Sequence, residues 1–232
     1  MTTTPIVVLD YPTAADAMRL VGTLGNRCRF YKVGSELFTA AGPAIVQRVR
    51  DTGAQVFLDL KFHDIPNTVR GAARSAAALG VRLLTVHASG GVDMVRAAVD
   101  GAGAGVGVLA VTVLTSFDDA SLGDAMGRPD VRASEEVARL AGIAAKAGAH
   151  GIVCAGTDVA AVRTRFEDRL ALLVPGIRLA GGASHDQRRV VTPREAATLG
   201  ATYIVVGRAV TAAADPPAAM ETVLAELESV PA

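Results

Sequence analysis

Residues 55–69 read QVFLDLKFHDIPNTV, and this stretch holds a strand, a charged strand end and the start of a helix. QVFLDL (55–60) is a short, nearly continuous apolar run, the pattern of a strand buried on both faces in a parallel sheet. Asp59 and Lys61 stand at its end, two positions apart on an extended segment, so both side chains are expected on the same side. Asp64 follows three residues later and is available to the same cluster. Pro66 can open the next helix, because a first-turn residue has no use for its N–H.

The same unit recurs along the chain. PIVVLD (5–10), RFYKVG (29–34), RLLTVH (82–87), GVGVLAVTVL (105–114), GIVCAG (151–156), LALLVPGI (170–177) and TYIVVG (202–207) are further apolar runs of this kind. Helical segments with recognisable ends lie between them. Thr13-Ala-Ala-Asp16 has the form of an N-cap followed by an acid, and Met18, Val21 and Leu24 repeat at helical spacing. Pro43 suits a first turn, Gly80 and Gly148 suit helix C-termini, and Thr192-Pro-Arg-Glu195 is a capping box.

Eight strands alternating with helices predict an α/β protein, a (β/α)8 TIM barrel forming a single domain over 1–232. An open doubly wound sheet has the same elements, but no GxGxxG follows the first strand to support a dinucleotide-binding version. GAGAG (101–105) leads into a strand, so it reads as a loop and not a phosphate cradle. The alanine-rich stretch 212–232 reads as a final helix packed on the barrel.

Composition narrows the function. A length of 232 residues suits one such barrel, and 4% aromatic content requires a core of Val, Leu, Ile and Ala. With 23 basic and 23 acidic residues and no long run of either sign, no nucleic-acid-binding surface is expected, and the chemistry should be local. Cys28 and Cys154 lack CxxC spacing and read as buried free thiols. MTTTPIVVLD does not have the form of a signal peptide and no apolar stretch approaches a membrane span, so a soluble, cytoplasmic protein is expected. His63, His87, His150 and His185 show no ligand spacing, so no metal site is expected.

Within this framework Asp10, Lys32, Asp59 and Lys61 all fall at the C-terminal ends of the first three strands, where barrels keep their chemistry. The alternating Lys–Asp–Lys array is either a structural ion-pair network or a catalytic cluster, because charges enter a core only when paired.

DLKFHDIPNTV (59–69) resembles the signature of the orotidine 5′-phosphate decarboxylases, D-x-K-x-x-D followed by I-P-N-T. The resemblance runs through VLDY (8–11), YKVGSELF (31–38), VHASGG (86–91), AVTVLTS (110–116), PGIR (175–178), DQRR (186–189) and VVGRAVT (205–211). A wider superfamily shares D-x-K-x-x-D and includes magnesium-dependent enzymes of sugar phosphates, in which a glutamate typically precedes the V-G of strand two. Lys32 stands there in this chain, and a cation would repel the metal.

The resemblance implies conversion of orotidine 5′-phosphate to uridine 5′-phosphate (UMP), the last step of pyrimidine nucleotide synthesis, without metal or cofactor. It makes Lys61 the acid that stabilises and then protonates the carbanion left at C6, a task for which arginine is too reluctant a donor. It sets Asp59 beside the scissile carboxylate, where repulsion could raise the energy of the bound substrate, and has Asp64 complete the Lys32–Asp59–Lys61 array. It assigns Asp10 and Lys32 to the ribose hydroxyls, Ile65 and Thr68 to the substrate, and Thr115 with adjacent Ser116 to the pyrimidine edge. Gln187, Gly207 and Arg208 would hold the phosphate, with Arg178 nearby; VVGR before a helix start suits that task.

The resemblance also implies a homodimer in which Asp64 and Thr68 reach the neighbouring site. LAGGASHDQR (179–188) reads as a lid with Gly181 and Gly182 as hinges, or else as an ordinary surface loop. His63 and His87 read as structural and Arg188-Arg189 as solvated. Two other readings compete: a metal-dependent sugar-phosphate enzyme, which Lys32 disfavours, and a pyrimidine-sensing barrel without catalysis. The sensor would need an eroded site, yet Lys61 and both acids are present.

Overall fold

A computed structural model describes residues 3–179 and 190–230. Its strands are β1 (Thr4–Val8), β2 (Phe30–Gly34), β3 (Gln55–Phe62), β4 (Leu83–His87), β5 (Gly107–Val111), β6 (Gly151–Val153), β7 (Ala171–Val174) and β8 (Tyr203–Val206). They follow chain order around a closed barrel in which every neighbouring pair is parallel. The pairing of β8 with β1, from Thr4↔Tyr203 to Val7↔Val206, closes the ring and excludes the open sheet. Each expected apolar run coincides with a strand; most strands are shorter than their runs, but β3 continues past 60 to Phe62 and β1 begins one residue early at Thr4. The run 105–114, for example, keeps only Gly107–Val111, and Asp10 lies just past β1.

The two-residue repeat of the strands sorts side chains into two cores. Ile6, Val8, Phe30, Phe57, Leu83, Leu109, Leu173 and Val205 fill the lumen. Their immediate neighbours, such as Val7, Tyr31, Val56, Leu58 and Leu84, face the surrounding helices. Both faces are apolar, which is why the strands read as runs without alternation.

Helix ends follow local chemistry. The Thr13 hydroxyl accepts the Asp16 N–H at the start of helix Ala14–Leu24, and Thr192 with Glu195 forms the expected capping box before Pro193–Thr198. Gly148 ends helix Ala133–Ala147 in the left-handed region, and Pro66 opens helix Pro66–Ala78. Two expectations need adjustment. Pro43 caps helix Ala44–Arg50 from outside instead of entering its first turn, and helix Gly91–Ala102 takes in the first two residues of GAGAG. A side chain at Gly101 would meet the Arg70 carbonyl oxygen at 2.3 Å, so glycine there allows this helix to lie close against Pro66–Ala78. Helix Pro216–Glu228 packs Met220 and Val223 inward, as expected of the tail. Among the described residues no helix is long and apolar enough to cross a membrane.

Candidate active site

One pleat step above the lumen layer the side chains change character. Phe30, Phe57 and Leu83 are followed, two residues on, by Lys32, Asp59 and Thr85, all buried at the barrel mouth. Asp10 stands in the same relation to Val8 on β1. The repeat that fills the lumen therefore delivers polar groups to one ring.

The groups in that ring are paired. Lys61 Nζ lies 2.9 Å from both Asp59 oxygens, and Lys32 Nζ lies 3.0 Å from Asp10 Oδ1 and 3.4 Å from Asp59 Oδ2. Thr85 Oγ1 donates to Asp59 Oδ1 at 2.9 Å. Burial alone would push the Asp59 carboxyl up, but Lys32, then Lys61, and the hydrogen bonds from Lys61 and Thr85 outweigh it. Asp59 is held below its ordinary range and stays ionised.

Lys61 reaches Asp59 by a route that a regular strand does not offer. β3 and β4 pair at Leu58↔Leu84 and again at Phe62↔Val86, so β3 carries extra residues between these points. Lys61 sits in this irregularity with φ at 51°, in the left-handed region that lysine disfavours. Its backbone N–H bonds to Thr85 Oγ1 at 2.9 Å. The expectation of a uniformly extended Asp59-x-Lys61 segment is corrected: the two side chains meet across a bulge.

These groups open onto a cavity of about 570 Å³. Its walls include Asp10, Lys32, Asp59, Lys61, Thr115, Ser116, Arg178, Gly207 and Arg208, over apolar surface from Phe57, Val153, Leu173 and Val205. Four cationic side chains face two carboxylates there, which suits an anionic small molecule. Arg178 is buried, with a hydrogen bond to its neighbour's carbonyl, and Arg208 begins the short helix Arg208–Thr211 after β8.

Asp64, Ile65 and Thr68 stand apart from the cavity. All three are exposed, and the Asp64 carboxylate accepts the Ile65 N–H at 2.6 Å. Among the described residues of one chain, the array consists of Lys32, Asp59, Lys61 and Asp10, with no ion pair to Asp64. Gln187 lies outside the described residues, as do Gly181, Gly182, His185, Arg188 and Arg189. Cys28 and Cys154 are buried free thiols, and Cys154 lies on the cavity wall.

His63 and His87 pack with ring centroids 5.4 Å apart beside the cluster. Burial, then His63 and Lys61, push His87 below its ordinary value, which makes it a neutral ring near neutral pH. Thr85 was not anticipated from the sequence. The available signal was a lone hydroxyl in LLTVH, two residues past a lumen-facing leucine.

The chain resembles known proteins over nearly its whole length. The chain matches the family described as "Orotidine 5'-phosphate decarboxylase / HUMPS family" over residues 3–223. A protein named orotidine 5′-phosphate decarboxylase from Anaeromyxobacter dehalogenans is 55% identical over 219 residues, 94% of this chain and 96% of the relative. One of the same name from Halorhodospira halophila is 48% identical over 227 residues, covering 96% and 94%. The crystal structure of orotidine 5′-phosphate decarboxylase from Lactobacillus acidophilus superposes with a TM-score of 0.87 at 36% identity, covering 99% of this chain and 100% of that one. With its barrel, its mouth cluster and these relatives taken together, the chain belongs to the orotidine 5′-phosphate decarboxylase / HUMPS family.

Proposed function

We infer that this chain is a carboxy-lyase that converts orotidine 5′-phosphate to UMP in pyrimidine biosynthesis, acting as a one-domain barrel. The observation that carries the mechanism is the Lys61 ammonium, 2.9 Å from both oxygens of an ionised, buried Asp59 on the wall of a nucleotide-sized cavity. In the proposed reaction the C6–carboxylate bond breaks, CO2 leaves, and the electron pair remains in an in-plane orbital at C6. Lys61 stabilises that charge and transfers a proton from Nζ to C6; solvent then restores its proton.

Asp59 holds the ammonium and adds negative charge beside the substrate carboxylate. Asp10 and Lys32, already paired at 3.0 Å, are assigned to the ribose hydroxyls. Thr115 is assigned to the pyrimidine edge. Arg208 and Gly207, with Arg178 and with Gln187 from beyond the described residues, are assigned to the phosphate. Supporting that assignment, Arg178, Gly207 and Arg208 share one cavity with the Lys61 cluster, where an anion gains from bidentate guanidinium contacts.

Metal-free chemistry is part of the proposal, because the Lys32 and Lys61 ammoniums occupy the space around the Asp59 carboxylate that a divalent ion would need. A homodimer is proposed as well, with Asp64 and Thr68 completing the neighbouring site. Its support is Ile65, a large apolar side chain left 67% exposed between them. The cytoplasm, where free nucleotides are made, is the compartment this reading assigns.

The test is the loss of the substrate's ultraviolet absorption on adding pure protein in EDTA. Turnover that persists in chelator is expected; turnover only with added magnesium would contradict the proposal. Arg208→Ala should raise KM for the nucleotide at least about tenfold while leaving the slow use of the phosphate-free nucleoside unchanged. Equal losses on both substrates would remove Arg208 from the phosphate.

A further inference from the structure

Resting on that reading of the site, we propose that Thr85 is a positioning residue for the decarboxylation: its hydroxyl clasps the Asp59 carboxylate and the Lys61 backbone into one geometry. Thr85 is 0% exposed on β4, in register with the lumen-facing row. Its hydroxyl has one proton and spare lone pairs, and both functions are used. The proton goes to Asp59 Oδ1 at 2.9 Å, and a lone pair accepts the Lys61 N–H at 2.9 Å.

Both partners need this group. Lys61 lies where β3 leaves its regular register with β4, and its N–H is given to the Thr85 hydroxyl. The left-handed φ of 51° at Lys61 is unfavourable for lysine and persists only while its surroundings fix it. Asp59 needs a donor that does not move, because its remaining partners are the ends of two flexible lysines. One rigid hydroxyl on the adjacent strand sets where the carboxylate sits and where the lysine departs from the backbone. The ammonium's direction toward the substrate follows from both.

A purely packing role for Thr85 makes different predictions, since valine matches its shape. Thr85→Val should fold, because the strand position suits a β-branched residue, but it leaves the Lys61 N–H and one Asp59 lone pair unmet. We expect kcat to fall at least about tenfold with KM within about threefold of the parent, as a lost hydrogen bond to a charged group predicts. Loss of the Thr85 donor removes one of the interactions that lower Asp59, so the acid limb of kcat should move to higher pH. Thr85→Ser retains the hydroxyl and should recover kcat to within about threefold.

The proposal is overturned if Thr85→Val matches the parent in kcat and pH profile, or if Thr85→Ser is as impaired as Thr85→Val. Should Thr85→Val fail to fold, Thr85→Ala and Thr85→Ser leave similar voids and differ in the hydroxyl alone. Serine must then exceed alanine by about tenfold in kcat, and equality overturns the proposal. A parent protein that does not turn over orotidine 5′-phosphate at all would instead end the underlying reading.

Discussion

A Cβ built on Gly34 stands 2.6 Å from Asp10 Oδ1 and 2.7 Å from Lys32 Nζ. The atoms in the way are the tips of side chains, so the protein can accommodate a methyl group by moving them, but only by parting the pair assigned to the ribose. Gly34→Ala is therefore expected to shift the melting temperature little and to lower kcat/KM at least about tenfold, the loss of one charge-assisted contact. A melting temperature lowered in proportion to activity would mean that the glycine serves packing instead. Lys61 makes the complementary case. Its φ of 51° is disfavoured by any side chain with a Cβ but open to glycine. Lys61→Gly should be more stable to urea than Lys61→Ala by about 1 kcal/mol, with both variants inactive. Equal stabilities would show that the left-handed backbone belongs to the lysine and not to the strand.

The elements explain which parts of the site were legible. Lys32 and Asp59 could be placed because each lies two residues past a lumen-filling phenylalanine, and the strand period fixes the rest. The Asp59–Lys61 contact was expected from the same period, yet it depends on the irregularity between β3 and β4. No glycine or proline marks that bulge, so no residue type announced it. Thr85 was hidden for a related reason: a threonine within LLTVH suits a strand on propensity alone, and only the neighbouring strand reveals its task. Helix ends such as Thr13, Thr192 and Gly148 were legible because capping is local chemistry. His87, at the end of β4, adds a pH dependence. Its folded value lies below the ordinary 6.5, so its contribution to stability is complete above that value and is lost as pH falls through the lower folded one. Denaturant unfolding at a series of pH values should show the parent losing more stability than His87→Gln on acidification from neutral pH. Parallel curves would exclude His87 as the cause.

Across the whole molecule, the closed barrel gathers chemistry from ends far apart in sequence. Asp10, Lys61, Thr115, Arg178 and Arg208 line one cavity only because β8 returns to β1. The formal charge of the chain is zero, yet this cavity carries a local cationic excess, matching a substrate with a carboxylate and a phosphate. The exposed Asp64–Thr68 segment belongs to a larger unit in the proposed dimer. Mixing Lys61→Ala with Asp64→Ala, each inactive alone, should restore activity, because a mixed dimer holds one site with Lys61 from one chain and Asp64 from the other. No recovery, with dimer exchange verified, would assign Asp64 to its own chain. Whether the Lys61 ammonium drives carbon–carbon cleavage at this mouth is answered by measuring decarboxylation and UMP binding side by side for Lys61→Ala in EDTA. The kcat of this variant should fall by at least about a thousandfold with UMP still bound measurably. A variant that decarboxylates at near the parent rate would contradict that role for Lys61.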